Sequence, residues 1–201
     1  MIQQWFKVGA AASAIALSAM LASPSQVQAQ EEGPNLGNVY MSTGVDVTTQ
    51  YYFRGIFQEN EGIIAQPYLD FGITVFEGED VTVDVYSGFW NSIHSGPSGS
   101  EGNGGDAWYE LDWYSGVAVG LPAGFTLDIS YINLYAPNSG SSFAEEIDVA
   151  LSYDDSEAMG DFALSPYVLV AFEIDGGSDA FGEEGTYLEL GVEPSFTVVE
   201  S

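Results

Sequence analysis

From residue 39 to residue 54 the side chains alternate in character. Val39, Met41, Val45, Val47, Tyr51 and Phe53 fall on one parity, and Tyr40, Ser42, Gly44, Asp46, Gln50 and Arg54 on the other. A period of two held this long predicts one continuous strand with an apolar and a polar face. The alternation then returns along the chain. Leu69, Phe71, Ile73 and Val75 oppose Gln66, Tyr68, Asp70 and Thr74; Val81, Val83, Val85 and Phe89 oppose Thr82, Asp84, Tyr86 and Trp90. Tyr109, Leu111, Trp113 and Val117 oppose Trp108, Glu110, Asp112 and Tyr114, and Phe125, Leu127 and Ile129 oppose Thr126, Asp128 and Ser130 before residues 132–135 break the pattern. Ile147, Val149 and Leu151 oppose Glu146, Asp148 and Ala150. Val168, Val170 and Phe172 oppose Tyr167 and Glu173, with Leu169 and Ala171 blurring the polar side, and Leu188, Leu190 and Val192 oppose Tyr187, Glu189 and Gly191.

Most of these runs cover the roughly 9–11 residues that a tilted membrane-spanning strand needs. Turn-forming clusters at 77–80, 120–124, 138–140 and 154–161 separate them, the longest loop is expected over 91–106, and no stretch after residue 30 has a helical period. Hairpins in series make an all-β antiparallel meander. At least eight strands are visible, and a ninth is expected to start at 195–199, which predicts a chain that stops within a longer barrel rather than closing on eight.

Alternation alone does not say which face looks inward. A soluble, lipocalin-like barrel would put the apolar face inside, and an outer-membrane barrel would put it against lipid. Tight connections alternating with longer ones, and aromatics gathered towards both strand ends, favour the outer-membrane up-and-down barrel. Tyr51, Phe53, Phe89, Trp113 and Phe172 are placed in one girdle, with Phe71, Phe125, Tyr153 and Phe162 in the other.

Composition changes the picture in two ways. Residues 1–29 read as a secretory signal, with Lys7, an apolar alanine-rich stretch and Val27-Gln28-Ala29 as a cleavage site. Residues 30–38 are a polar lead-in and 39–201 the barrel domain, here incomplete, so the chain is expected to be exported and to reside in the bacterial outer membrane, with the periplasm or exterior as the alternative. Charge is the second change: all 30 acidic residues follow residue 30, where Arg54 is the only cation. That balance excludes nucleic acid as a partner and favours cations. With no cysteine, neither disulfides nor thiolate metal sites exist.

Several segments carry a family resemblance. Tyr51-Tyr52-Phe53-Arg54-Gly55-Ile56 with Gln58, then Gln66-Pro67-Tyr68-Leu69-Asp70, Gly88-Phe89-Trp90-Asn91 and Glu110-Leu111-Asp112-Trp113-Tyr114-Ser115-Gly116 resemble the TorF-type porin family. The resemblance runs loosely over residues 39–193. It implies an outer-membrane β-barrel that acts as a porin, without an assigned substrate.

If the apolar faces meet lipid, the polar faces send Asp46, Asp70, Asp84, Glu110, Asp112, Asp128, Glu146 and Asp148 inward. Ionised carboxylates are costly in a dry interior, so they predict a wet, cation-preferring lumen for passive diffusion of small cations or small hydrophilic solutes. Arg54 is expected at the rim, paired with Glu59, Glu61 or an acid of a neighbouring strand. The competing reading is a non-enzymatic binding or structural barrel, either a soluble carrier or one whose loops serve attachment. Neither a catalytic set nor a cofactor or metal site is expected, although the 102–106 and 175–184 loops carry oxygen ligands for loose Ca²⁺ binding. His94, the single histidine, reads as a solvated loop residue.

Overall fold

The computed structural model describes residues 38–98, 107–160, 162–178 and 183–196. The 1–29 segment, all but the last residue of the lead-in, the 102–106 loop and residues 197–199 of the ninth run lie outside them.

The strands in chain order are β1 (Val39–Thr48), β2 (Tyr51–Phe53), β3 (Ile56–Glu59), β4 (Ile64–Glu77), β5 (Thr82–His94), β6 (Trp108–Gly120), β7 (Phe125–Ala136), β8 (Ser141–Tyr153), β9 (Phe162–Ala163), β10 (Pro166–Gly176), β11 (Thr186–Val192) and β12 (Ser195–Phe196). Eight of them form one antiparallel meander in the order β1-β4-β5-β6-β7-β8-β10-β11. They correspond to the eight alternating runs. Among the described residues β1 and β11 have no strand across their outer edges, so the sheet is not closed on itself.

The register lines up the outward residues. Val39, Ile73, Val85, Val117, Ile129, Val149, Val170 and Leu188 make an aliphatic row that crosses all eight strands. Beside it run Phe76, Val83, Val119, Leu127, Leu151, Val168 and Leu190. Both rows face outward, with Leu188 at 61% and Leu190 at 74% exposure, while Asp112 and Glu146 on the opposite face are at 0%. The sheet is inverted relative to a water-soluble one: its apolar side is exposed and its acidic side buried.

On the inner face tyrosines stand directly opposite glycines: Tyr40 and Gly72, Tyr68 and Gly44, Tyr86 and Gly116, Tyr114 and Gly88, Tyr167 and Gly191. A Cβ at Gly72, Gly116 or Gly191 would lie 2.3–2.5 Å from the facing tyrosine. Glycine is needed here for close approach, because each ring lies flat over the neighbouring strand and carries its hydroxyl beyond it. Tyr86 thus reaches across β6 to Asp128 on β7, at 2.7 Å.

Several expectations change. The run over 39–54 is not one strand: Thr48 Oγ1 accepts from the Gln50 amide and donates to its carbonyl, ending β1, and 51–59 is a separate hairpin. Tyr51 and Phe53 therefore leave the expected girdle and are buried, at 3% and 7% exposure. The pattern break at 132–135 is still strand, with Ile132 and Leu134 turned inward. The strand expected to end before the 91–106 loop extends to His94. The 154–161 connection holds one helical turn, α1 (Ser156–Met159), and β12 pairs with β9 rather than extending the sheet.

Candidate functional site

The concave inner face and the β2–β3 hairpin form the site. Arg54 and Gly55 are the two central residues of the hairpin turn, at φ 48° and 81°, the pair of positive values of a type I′ turn. Asparagine or glycine usually occupies the first of these positions, so arginine is retained against local preference. Its guanidinium explains why. Nη1 and Nη2 each donate at 2.6 Å to one oxygen of Glu146 on β8, a bidentate pair with the carboxylate wholly buried. Nη1 also donates to Ser178 at 3.0 Å, and the guanidinium lies over the Tyr187 ring of β11 at 4.5 Å and the Phe53 ring at 4.8 Å.

The rest of the hairpin is anchored on the other side. Tyr51 Oη donates to Glu110 at 2.8 Å, its ring meets Trp90 and His94, and Gln58 accepts from Tyr109 at 2.6 Å. One short hairpin therefore spans from β5 and β6 to β8 and β11. It is packed from below by Ile64, Trp90, Ile132, Leu134 and Leu169. Beside the turn a cleft of about 200 Å³ is lined by Arg54, Ile56, Glu173, Ser178, Thr186 and Tyr187.

All eight acids predicted to face inward lie on the concave face. Glu110, Asp112, Asp128, Glu146 and Asp148 are buried, Asp70 and Asp84 half-buried and Asp46 exposed. Asp70 accepts from Tyr114 Oη and Asp84 from Thr74 Oγ1. Both oxygens of Asp112, Oδ2 of Asp128 and Oδ1 of Asp148 are buried without a hydrogen-bond partner, as are Ser130 Oγ and Trp90 Nε1. Among the described residues no group of three or more His, Asp or Glu is placed to hold a metal.

His94 is no solvated loop residue: it is wholly buried and stacked on Tyr109 at 4.3 Å. Ser98 Oγ donates to Glu59 Oε2 at 2.7 Å and so must accept from His94 Nδ1–H at 2.6 Å. That leaves Nε2 to accept from Ser92 Oγ at 2.7 Å. The order serine, histidine, serine, glutamate resembles a nucleophile relay. Ser92 is wholly buried, however, so no substrate reaches it and the chain of bonds serves to tie the hairpin to β5.

Glu59 ends the hairpin. Burial raises the cost of its charge, but the Ser98 amide and hydroxyl and the Glu61 and Asn60 amides outweigh it and hold the pKa at about 2. A carboxyl whose folded pKa lies below its ordinary 4.5 contributes stability that is whole above that value and is lost as pH falls towards 2. Glu59→Gln is expected to lower the urea midpoint at pH 7 by the equivalent of about 1–3 kcal/mol. The gap from wild type should close by the bottom of that window; a gap independent of pH would show that the network does not hold an ionised Glu59.

The inward hairpin, Glu146 as partner of Arg54 and the His94 network were not foreseen. Arg54-Gly55 between aromatic residues was the available cue for a turn.

No curated protein and no solved structure matches the chain. A family model described as a bacterial protein of unknown function (Gcw_chp) matches residues 31–200, and the chain therefore belongs to that family.

Proposed function

We propose that the chain is an outer-membrane β-barrel with a porin-like, cation-preferring interior that the inward hairpin narrows. The observation that carries this reading is the inversion of the sheet: aliphatic rows exposed on one side, five buried acids on the other. In water that arrangement loses on both faces, whereas in a bilayer the outward rows meet hydrocarbon. A carrier of apolar ligands would need the reverse. The strands support it too, since seven of the eight in the sheet run for ten to fourteen residues, long enough to span when tilted. The resemblance to TorF-type porins belongs to the same proposal.

Carboxylates along a lumen attract cations and repel anions. The hairpin, held to β6 through Tyr51 and Tyr109 and to β8 and β11 through Arg54, occupies part of that inner face. Passage is therefore narrow and depends on the hairpin's position. Planar-bilayer recordings in a salt gradient test this: the reversal potential should report cation preference, and anion preference would reject it.

The filled interior favors one second reading, a barrel that conducts nothing and works through its long-loop end. Folded protein that inserts without adding current would select it.

Ile129→Arg, in the middle of the outward row, tests the membrane itself. It is expected to cost about 2–4 kcal/mol for folding into lipid vesicles. No cost, or a gain in solubility without detergent, would mean that water bathes that face.

A further inference from the structure

We propose that Glu146, Ser178 and Tyr187 form a recognition site for small solutes that carry a guanidinium group, and that Arg54 occupies it as a tethered stand-in. The receptor side belongs to the sheet and its connections. Glu146 is wholly buried on β8 and offers one oxygen to Nη1 and the other to Nη2, each at 2.6 Å. Ser178 Oγ gives its own proton to Glu173, so it accepts from Nη1, at 3.0 Å. The Tyr187 ring centre lies 4.5 Å from the guanidinium carbon. Three acceptor atoms and a ring face therefore meet one planar cation, an arrangement that selects a guanidinium over a compact ammonium group.

The cation, by contrast, comes from a two-residue turn. Arg54 is held there at φ 48°, against the preference of its residue type, and its hairpin has separate anchors in Tyr51 and Gln58. The guanidinium can thus leave without the hairpin letting go of β6. Beside it opens the cleft of about 200 Å³, lined by Glu173, Ser178, Thr186 and Tyr187 as well as Arg54. A solute entering there meets the same acceptors.

Charge favours the exchange. Arg54 is the only cation after residue 30, yet its charge acts on Asp112, Asp148 and Glu173 besides Glu146. Neither oxygen of buried Asp112 has a hydrogen-bond partner. Acids around the site outnumber its one cation, which draws a second cation towards them. The site narrows the proposed cation preference to a class of organic cation, and rests on that reading for the solute's way in but not for its binding.

Methylguanidinium added to protein in detergent, against equal concentrations of methylammonium and of urea, provides the test. Arg54→Asn vacates the cradle and keeps the turn. In that variant methylguanidinium should raise the thermal midpoint saturably, as a ligand of the folded state alone does. It should bind roughly tenfold or more tightly than methylammonium, the equivalent of one charged hydrogen bond. Adding Glu146→Gln should abolish the rise, and adding Tyr187→Leu should weaken it. In wild type the probe must displace Arg54, so hydrogen exchange should quicken at the turn amides of residues 53–57 and stay unchanged along β7. If Arg54→Asn does not fold, the wild-type exchange decides. A rise given equally by methylammonium, a rise that survives Glu146→Gln, or wild-type turn amides indifferent to the probe overturns the site. Saturable binding in protein that carries no current would leave the site standing and remove the pore; cation-selective current in protein indifferent to methylguanidinium would do the opposite.

Discussion

Arg54→Asn is expected to destabilise the folded protein by about 3–5 kcal/mol, the usual cost of leaving a buried charge without its partner. The sign is informative because the local effect runs the other way. At φ 48° asparagine suits the hairpin turn better than arginine, so any loss reports on Glu146, which stays wholly buried with neither guanidinium bond. Glu146→Gln alone strands a guanidinium that is 12% exposed and lies over two aromatic rings, and it should cost less. The double variant removes both charges and should recover part of the loss, a coupling that a double-mutant cycle in urea would measure. Additive losses would mean that the pair contributes little.

The same substitution bears on conduction. With the Glu146 bond gone, the hairpin keeps its hold on β5 and β6 through Tyr51 and Gln58 but loses β8 and β11. Its turn is then free to swing from the inner face. Unit conductance in Arg54→Asn should rise and become noisier than in wild type, and unchanged currents would show that the hairpin does not obstruct the path.

The meander was readable because alternation is a local property: Val39 through Val47, or Leu188 through Val192, show it without reference to any other strand. Which face is buried was not readable, since a period of two is the same from either side. Connection lengths and aromatic placement only favoured one side; the exposure of Ile73, Val85, Val117 and Ile129, which the register sets in one row, distinguishes the faces. The inward hairpin escaped notice for a related reason. Alternation continues through Tyr51 and Phe53, so the break made by the Thr48 hydroxyl left no trace in hydropathy. Arg54 and Glu146 are 92 residues apart and meet only because the sheet curls. Leu169 and Ala171, which blurred a polar face in sequence, turn out to be part of what fills the interior.

Gly116→Ala is expected to be as damaging as a core mutation although it adds a single methyl group. The new Cβ would lie 2.5 Å from Tyr86 Oη, 2.6 Å from its Cζ and 2.9 Å from the Ile129 carbonyl. The tyrosine is the one that must move, and it is not free to do so, because its hydroxyl is bound to buried Asp128. Overpacking costs about 1–3 kcal/mol, and loss of the hydrogen bond to a charged group adds about 1.5–3 kcal/mol. Tyr86→Ala removes the ring and, at the price of a cavity, makes room for the methyl. In that background Gly116→Ala should therefore cost little more, and the cycle should show strong coupling. If the glycine substitution is equally harmful without the ring, its source is the Ile129 carbonyl, and the tyrosine–glycine fit is incidental at this position. Repeating the cycle at Tyr167 and Gly191, where the ring ends on Glu189 instead, would show whether the same fit sets the curl of the sheet at its other edge.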